Sequence, residues 1–353
     1  MIKFVNMKTK NKTKNKPKKY IHIYLIIGVF VGLIIAGCCG FAFYSFTKYK
    51  RDECWVKIAG ETNVEFRDSL MSSLGSDYGT RVYRLWYLMG GNASVSQGAY
   101  RIKPGMSALS VARKIKNNHQ TPVKVVFNNV RTMDKLAERV VKNMKFSEHD
   151  FIRACDSVLK MEGYKKEEYP AIFFPDSYEF YWNASAESVV RKFLSYYNKF
   201  WNDERTQKAK YLGLTPMQVS VIASIVEEET NKADERPLVA RLYMNRLDKN
   251  MKLQADPTVK FAIGDFSLRR INHSHLEIKS PYNTYKNYGL PPGPIRVVSK
   301  KTLESVLNAP KHNYLYMCAK EDFSGYHNFA VDYATHLVNA RKYQAELNRR
   351  KIK

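Results

Sequence analysis

The chain contains no C-x-x-C pair, no H-E-x-x-H helix and no even framework of cysteines. Those gaps remove the usual thiol-redox and zinc-protease signatures. The five cysteines, Cys38, Cys39, Cys54, Cys155 and Cys318, are spaced so that no disulfide follows from them. Cys155 reads as a small core residue, and a bridge from Cys54 to Cys155 or Cys318 stays open. Acid is missing from residues 1–19, which carry eight lysines. Charge of either sign is missing from residues 20–46.

These two absences set the topology. The uncharged run exceeds the roughly 20 residues that a helix needs to cross a bilayer core. Lysines crowd its N-terminal side, so the N-terminus is expected in the cytoplasm and the body of the chain outside the cytoplasmic (inner) membrane. A cleaved signal peptide has a shorter apolar region than this one, which continues past Cys39. Ile35-Ala36-Gly37-Cys38 also looks like a lipoprotein processing site, which leaves lipidation of Cys38 open. The net charge of +25 suits a polyanion, an anionic membrane surface or an anionic wall polymer. A location outside the membrane argues against nucleic acid. Hydrophobic content of 44% and aromatic content of 13% exclude a disordered chain, and 353 residues suffice for two or three cores.

The pattern reads as α+β. Residues 1–19 form a cytoplasmic basic tail, 20–46 a transmembrane helix and 47–96 a membrane-proximal segment with helices near 68–74 and 82–89. Residues 97–145 make a small unit. In it Gly98 to Ile102 alternates as a strand, Pro104-Gly105 turns, Ser107 caps a helix, a second strand covers 121–127, and Thr132 caps a second helix. Residues 146–204 connect, with helices near 149–161 and 186–200. Between those helices Phe173 to Tyr181 is dense in aromatics, either a buried strand or a sugar-stacking surface. Residues 205–347 form the last domain. In it Asp234 and Thr302 are expected to cap helices, residues 314–318 read as a strand, and a basic helix begins near Tyr333. Residues 348–353 are a basic tail.

The last domain opens on the candidate for chemistry. Thr215, Pro216 and Gln218 mark a helix start with a capping box. Val219, Val221, Ile222, Ala223, Ile225 and Val226 then cover nearly its whole circumference, so the helix is expected to be buried. It ends in Glu227-Glu228-Glu229-Thr230. Residues three and four apart are neighbours on a helix, which sets Glu229 over Val226 and Ile225 with Ile222 behind. Glu229 therefore has the most apolar surroundings of the three acids and the best case for a raised pKa. A carboxyl that keeps its proton near neutrality can act as a general acid. The alternative is that three acids merely solvate a helix end. Downstream, the Pro- and Gly-rich stretches 252–259, 280–285 and 288–295 read as loops with many groups able to hold a sugar.

Six motifs in order then carry a resemblance. They are Phe174-Pro175-Asp176-Ser177-Tyr178; Ala223 to Thr230; Asn245-Arg246-Leu247; Leu253 to Val259; Tyr282-Asn283-Thr284-Tyr285; and Gly289 to Ile295. The chain over about residues 97–345 resembles the MltG-type (YceG-like) family of endolytic murein transglycosylases. The stretch Tyr100 to Ala112 resembles the opening of a LysM module, which binds GlcNAc-containing glycans. The resemblance implies a lytic transglycosylase that needs no metal and no cofactor. It acts on peptidoglycan glycan strands beside peptidoglycan synthases and cuts between MurNAc and GlcNAc. It places the catalytic acid at Glu229, the residue that the helical-face argument selects, and makes Glu228 a bystander. Glu227, Gln254, Asp256, Thr258, Tyr282, Asn283, Thr284, Tyr285, Leu290 and Pro291 become candidates for holding substrate.

Two rivals stand beside this reading. His273-x-His275-x-Glu277 alternates as a strand and could present three metal-ligand types, although polar residues facing water at a strand edge are the plainer account. A non-catalytic LysM-type wall-binding scaffold is the other. A membrane-tethered nucleic-acid binder is opposed by the topology.

Overall fold

The structure, a computed structural model, describes residues 19–60, 62–91, 95–268 and 270–351. Residues 1–18 of the basic tail and the last two of the C-terminal tail lie outside the described residues. The chain forms two compact units, Met1–Thr121 and Pro122–Lys353.

The first unit begins with α1 (Lys19–Phe46), whose span from His22 to Phe46 is long and apolar enough to cross a membrane. No loose linker follows it. Ser45 and Tyr49 are buried. Ala108 N donates to Thr47 O at 2.9 Å, Tyr49 N to Met106 O at 2.8 Å, and Gly105 N to Tyr49 O at 2.8 Å. Next come β1 (Cys54–Ile58), α2 (Asn63–Leu74), α3 (Ser76–Leu88), β2 (Gly98–Ile102) and α4 (Ala108–Lys116). Strands β1 and β2 pair antiparallel, Cys54 opposite Ile102. Their inner residues Val56, Ile58, Tyr100 and Ile102 meet Phe66 and Leu70 of α2, Val82 and Trp86 of α3, and Val111 and Ile115 of α4. Helices α2 and α3 begin about five residues before their expected starts. The signals are Thr62, which makes a capping box with Glu65, and Gly75, whose φ of +89° breaks the chain between them. Gly79 lets the two helices touch: a Cβ there would lie 2.6 Å from Leu70 O.

The second unit starts with β3 (Val123–Phe127), α5 (Met133–Val141), α6 (Glu148–Met161), a 3-10 stretch (Lys166–Ile172), β4 (Asp176–Phe180), α7 (Ala186–Phe200) and α8 (Asp203–Tyr211). The boundary at 121 thus falls inside the unit expected over residues 97–145. The reason is strand pairing. Strand β2 finds its partner upstream, whereas β3 pairs antiparallel with β4 downstream. The aromatic segment resolves to burial. Phe173, Phe174, Tyr178 and Phe180 are buried with Phe127, Phe193 and Tyr197, and the Tyr178 hydroxyl donates to Phe174 O at 2.7 Å.

The unit continues with α9 (Pro216–Glu229), α10 (Arg236–Asp248), α11 (Asp256–Ile263), α12 (His273–Leu276), α13 (Lys300–Leu307), β5 (Tyr316–Ala319), β6 (His327–Ala330) and α14 (Tyr333–Arg349), which runs into the expected basic tail. Strands β5 and β6 form an antiparallel hairpin. Three expectations are corrected here. Ser299, not Thr302, caps α13, accepting from Thr302 N. Asp234 does not cap α10, whose N-cap position is Glu235, without a side-chain cap bond. His273 and His275 lie on one helical turn rather than a strand, because Asn272 caps that turn, and Glu277 pairs with Lys286 at 2.7 Å. Cys54, Cys155 and Cys318 are free thiols.

Candidate active site

The acid-bearing helix is built as its sequence dictates. Thr215 accepts from Gln218 N at 3.2 Å and Gln218 Oε1 accepts from Thr215 N at 2.8 Å. Val219 to Val226 are buried without exception, including Ser220 and Ser224. Ser224 Oγ donates to Val221 O at 2.7 Å and accepts from Ile295 N at 3.0 Å, so this buried hydroxyl ties α9 to the 294–299 segment. Eight buried positions in succession mean that this helix has no solvent face between its first turn and its last.

There the three acids part company. Glu227 accepts from Ser299 N at 3.1 Å and from Ser299 Oγ at 2.9 Å. Glu228 accepts two bonds from Arg131, at 2.8 and 2.9 Å, and one from Arg296 at 2.8 Å. The bystander expected at 228 is therefore an ion-paired residue. Glu229 makes no ion pair among the described residues. It is part-exposed as a residue, but its Oε2 is closed to water and has no hydrogen-bond partner. Burial pushes its carboxyl up from the usual 4.5 to about 8, with the charge of Asp256 acting in the same direction. Lys260 and the Tyr243 hydroxyl pull the other way, and Glu228 adds a smaller upward push. Apolar burial of the acid and a second carboxyl beside it are the two arrangements that keep a carboxylic acid protonated.

Asp256 opens α11, and its Oδ1 accepts from the Tyr285 hydroxyl at 2.6 Å. Burial drives the Tyr285 phenol well above its usual value, with the bond to Asp256 adding to it. Gln254 is exposed beside them in the left-handed region, φ +51°. Arg246 supports that backbone. It donates to Lys252 O at 3.0 Å, Leu253 O at 2.9 Å, Gln254 Oε1 at 3.2 Å and Leu315 O at 2.6 Å. Its neighbour Asn245 donates to His312 O and Tyr314 O. The Asn-Arg-Leu motif is thus a strut beneath the site.

Several candidates hold the loops from inside. Thr258 and Thr284 are buried; their hydroxyls lie 2.9 Å apart, Thr258 donates to Ala255 O, and Thr284 accepts from Ala255 N. Asn283 is buried and donates to Leu276 O and Ile278 O. Tyr282 is half-buried, its ring 4.7 Å from Phe261. Leu290 and Pro291 sit elsewhere. With Thr215, Gln218 and Met244 they line an open cleft of about 610 Å³ at the start of α9. Its lining reaches along α9 as far as Val221, eight residues or about 12 Å of helix before Glu229. Glu229, the perturbed acid, is not among the residues that line it.

Sequence reasoning missed Tyr243, Arg131, Arg296 and Glu235. Tyr243 looked like one apolar position among several on α10. The two arginines lie 97 and 68 residues from Glu228. Glu235 is buried and accepts from Thr230 Oγ1 at 2.9 Å, His327 N at 2.7 Å and His327 Nδ1 at 2.8 Å. It thereby fixes the turn that follows the acid.

The chain has relatives of known name. It is 28% identical over 250 residues to a Bacillus subtilis protein named endolytic murein transglycosylase, an alignment spanning 66% of this chain and 69% of that one. It is 35% identical over 165 residues to a Streptococcus pneumoniae protein of the same name, spanning 45% of this chain but 28% of that longer one. The crystal structure of a yceG-like protein from Listeria monocytogenes superposes with a TM-score of 0.55 at 25% identity, covering 81% of this chain and 98% of that one. Residues 68–342 match the model of the YceG-like family, and the chain belongs to that family.

Proposed function

We propose that this protein is an endolytic lytic transglycosylase of peptidoglycan, with Glu229 as its catalytic acid. The observation that carries the reading is the Glu229 carboxyl, which makes no ion pair among the described residues, has one oxygen sealed from water and is pushed up to about 8 by burial. A solvating acid at a helix end would be hydrated or ion-paired, as would the same acid in a non-catalytic scaffold.

The reaction needs one such group. Protonated Glu229 gives its proton to the oxygen linking MurNAc to GlcNAc, and the bond from that oxygen to MurNAc C1 breaks. The MurNAc C6 hydroxyl oxygen bonds to C1 and closes a 1,6-anhydro ring, and its proton passes to the Glu229 carboxylate. The acid is restored, no water is consumed, and the intramolecular attack carries the entropic advantage of a reactant already in place. Asp256, Tyr285 and Gln254 present polar groups beside the acid and are proposed to hold the sugars and to favour the oxocarbenium-like state. Glu227, Thr258, Asn283 and Thr284 act by holding the loops, and Tyr282 acts at their edge. Leu290 and Pro291 would meet only a distant part of a strand.

Helix α1 is proposed as a single-pass anchor in the cytoplasmic membrane, with the lysine-rich end inside and the chain after Phe46 outside. The β2–turn–α4 stretch is proposed as a LysM-like glycan contact, and a peptidoglycan synthase as the supplier of nascent strands. Incubating the purified full chain with glycan strands and analysing the products by mass spectrometry tests the reading. The expected products carry 1,6-anhydroMurNAc ends from internal cuts. Reducing ends, or no products, would overturn it.

A further inference from the structure

Resting on Glu229 as the acid, we propose that Glu228 is a positioning residue: gripped by Arg131 and Arg296, it holds the end of α9 and sets the charge balance around its neighbour. The grip is well shielded. The side chains of Glu228 and Arg296 are 14% and 8% exposed. Arg131 approaches edge-on with Nε and Nη2, and Arg296 adds Nη1 to the same Oε1. Arg296 also donates to Asn129 Oδ1 at 2.9 Å and lies 3.5 Å from Glu227 Oε1. Val297 N donates to Val130 O at 2.8 Å, which joins the two arginine-bearing segments to each other. Three acids at a helix C-terminus repel one another and oppose the macrodipole. Two arginines offset that cost, and both are spent on Glu228 and Glu227. Among the described residues Glu229 is left without an ion pair, and Lys260 acts on it only through its charge.

The groups facing Glu229 are Tyr243 of α10, Asp256 and Lys260 of α11, Tyr285 of the loop, and Glu228 itself. On the α13 side Ser299 engages Glu227. Neutralising Glu228 removes a negative neighbour and leaves two arginines under-compensated, and both changes favour the ionised acid. Removing Arg131 does the reverse. A purely structural loss would move neither limb of a pH profile in a sign-dependent way.

The test uses the full chain and purified glycan strands, with release of anhydro-ended products followed against pH for wild type, Glu228→Gln, Arg131→Gln and Glu229→Gln. Glu228→Gln is expected to shift the alkaline limb to lower pH and to lower kcat about tenfold or more with KM little changed. Arg131→Gln, whose side chain is one-third exposed and more dispensable to the fold, is expected to shift the limb to higher pH. Folding is checked by thermal melting; if Glu228→Gln does not fold, the Arg131→Gln limb decides. Unmoved limbs in folded variants, with wild type active and Glu229→Gln inactive, would overturn this proposal alone. A wild type that yields no anhydro ends, or an active Glu229→Gln, would overturn the lytic reading beneath it.

Discussion

Tyr285 and Asp256 are joined by a 2.6 Å hydrogen bond, and after burial Asp256 is the strongest influence holding the proton on Glu229. A hydroxyl from one loop therefore places the carboxyl of α11 that keeps the acid of α9 protonated. Two neighbours of Glu229 thus act on it in opposite senses, Asp256 upward and Tyr243 downward.

That opposition is measurable. Asp256→Asn removes the upward push, so Glu229 releases its proton earlier and the alkaline limb of activity moves to lower pH. Tyr243→Phe removes a hydroxyl that stabilises the ionised carboxyl, so the limb moves to higher pH. Rate–pH profiles of the two variants check the signs. Shifts in the same direction would mean that another group titrates.

Stability carries the same signature. From about pH 4.5 to about 8 the folded chain holds a proton on Glu229 that the unfolded chain has released. Stability contributed by that group therefore falls as pH rises through this window, by a few kcal/mol at most given about 1.4 kcal/mol for each pH unit. Glu229→Gln removes the dependence. Melting curves are expected to show it gaining over wild type more at pH 8.5 than at pH 5; a constant difference would contradict the raised pKa.

The loop after the site depends on one glycine. A Cβ on Gly293 would lie closer than any contact distance to Glu167 O in the 3-10 stretch, where backbone has no flexible end to give way. Gly293→Ala is expected to destabilise the chain by about 1–3 kcal/mol, the usual range for overpacking. Chemical denaturation measures it, and a loss under about 0.5 kcal/mol, typical of neutral surface changes, would show that the loop can move aside.

Arg246 offers a second structural test. Four acceptors converge on its guanidinium, three of them from the 252–254 stretch. Lysine keeps the charge and loses the planar fork, so Arg246→Lys is expected to lower stability by about 1–3 kcal/mol and to loosen Gln254. Proteolysis at 252–254 and the melting temperature report both effects. A variant as stable and as resistant as wild type would contradict the strut.

Much of the site was legible because it is local. The capping box at Thr215, the all-round burial of α9 and the apolar surroundings of Glu229 all follow from residues within two turns of each other. What was not legible is long-range. Strand β2 forms where it is expected but does not alternate in burial, since Gly98, Ala99 and Tyr100 are all buried, and nothing within it says that its partner is β1 rather than β3. Glu228 looked idle because its two arginines come from distant segments. Asp234 and Glu235 are equivalent as sequence, and only the hairpin that brings in His327 separates them. Thr258, Asn283 and Thr284 are polar and loop-borne, which suggested sugar contact, yet their hydrogen bonds close onto backbone. Polar composition marks a loop without telling which side chains face outward.

The central claim is that one protonated glutamic acid performs the cleavage. The most direct measurement compares wild type and Glu229→Gln on purified glycan strands by mass spectrometry, with melting curves confirming that both fold. Wild type is predicted to release 1,6-anhydroMurNAc-ended fragments with a rate that declines above about pH 8, and the variant to lose about a thousandfold or more, within the range of general-acid catalysis. A folded Glu229→Gln chain that still generates anhydro ends at a comparable rate would contradict it.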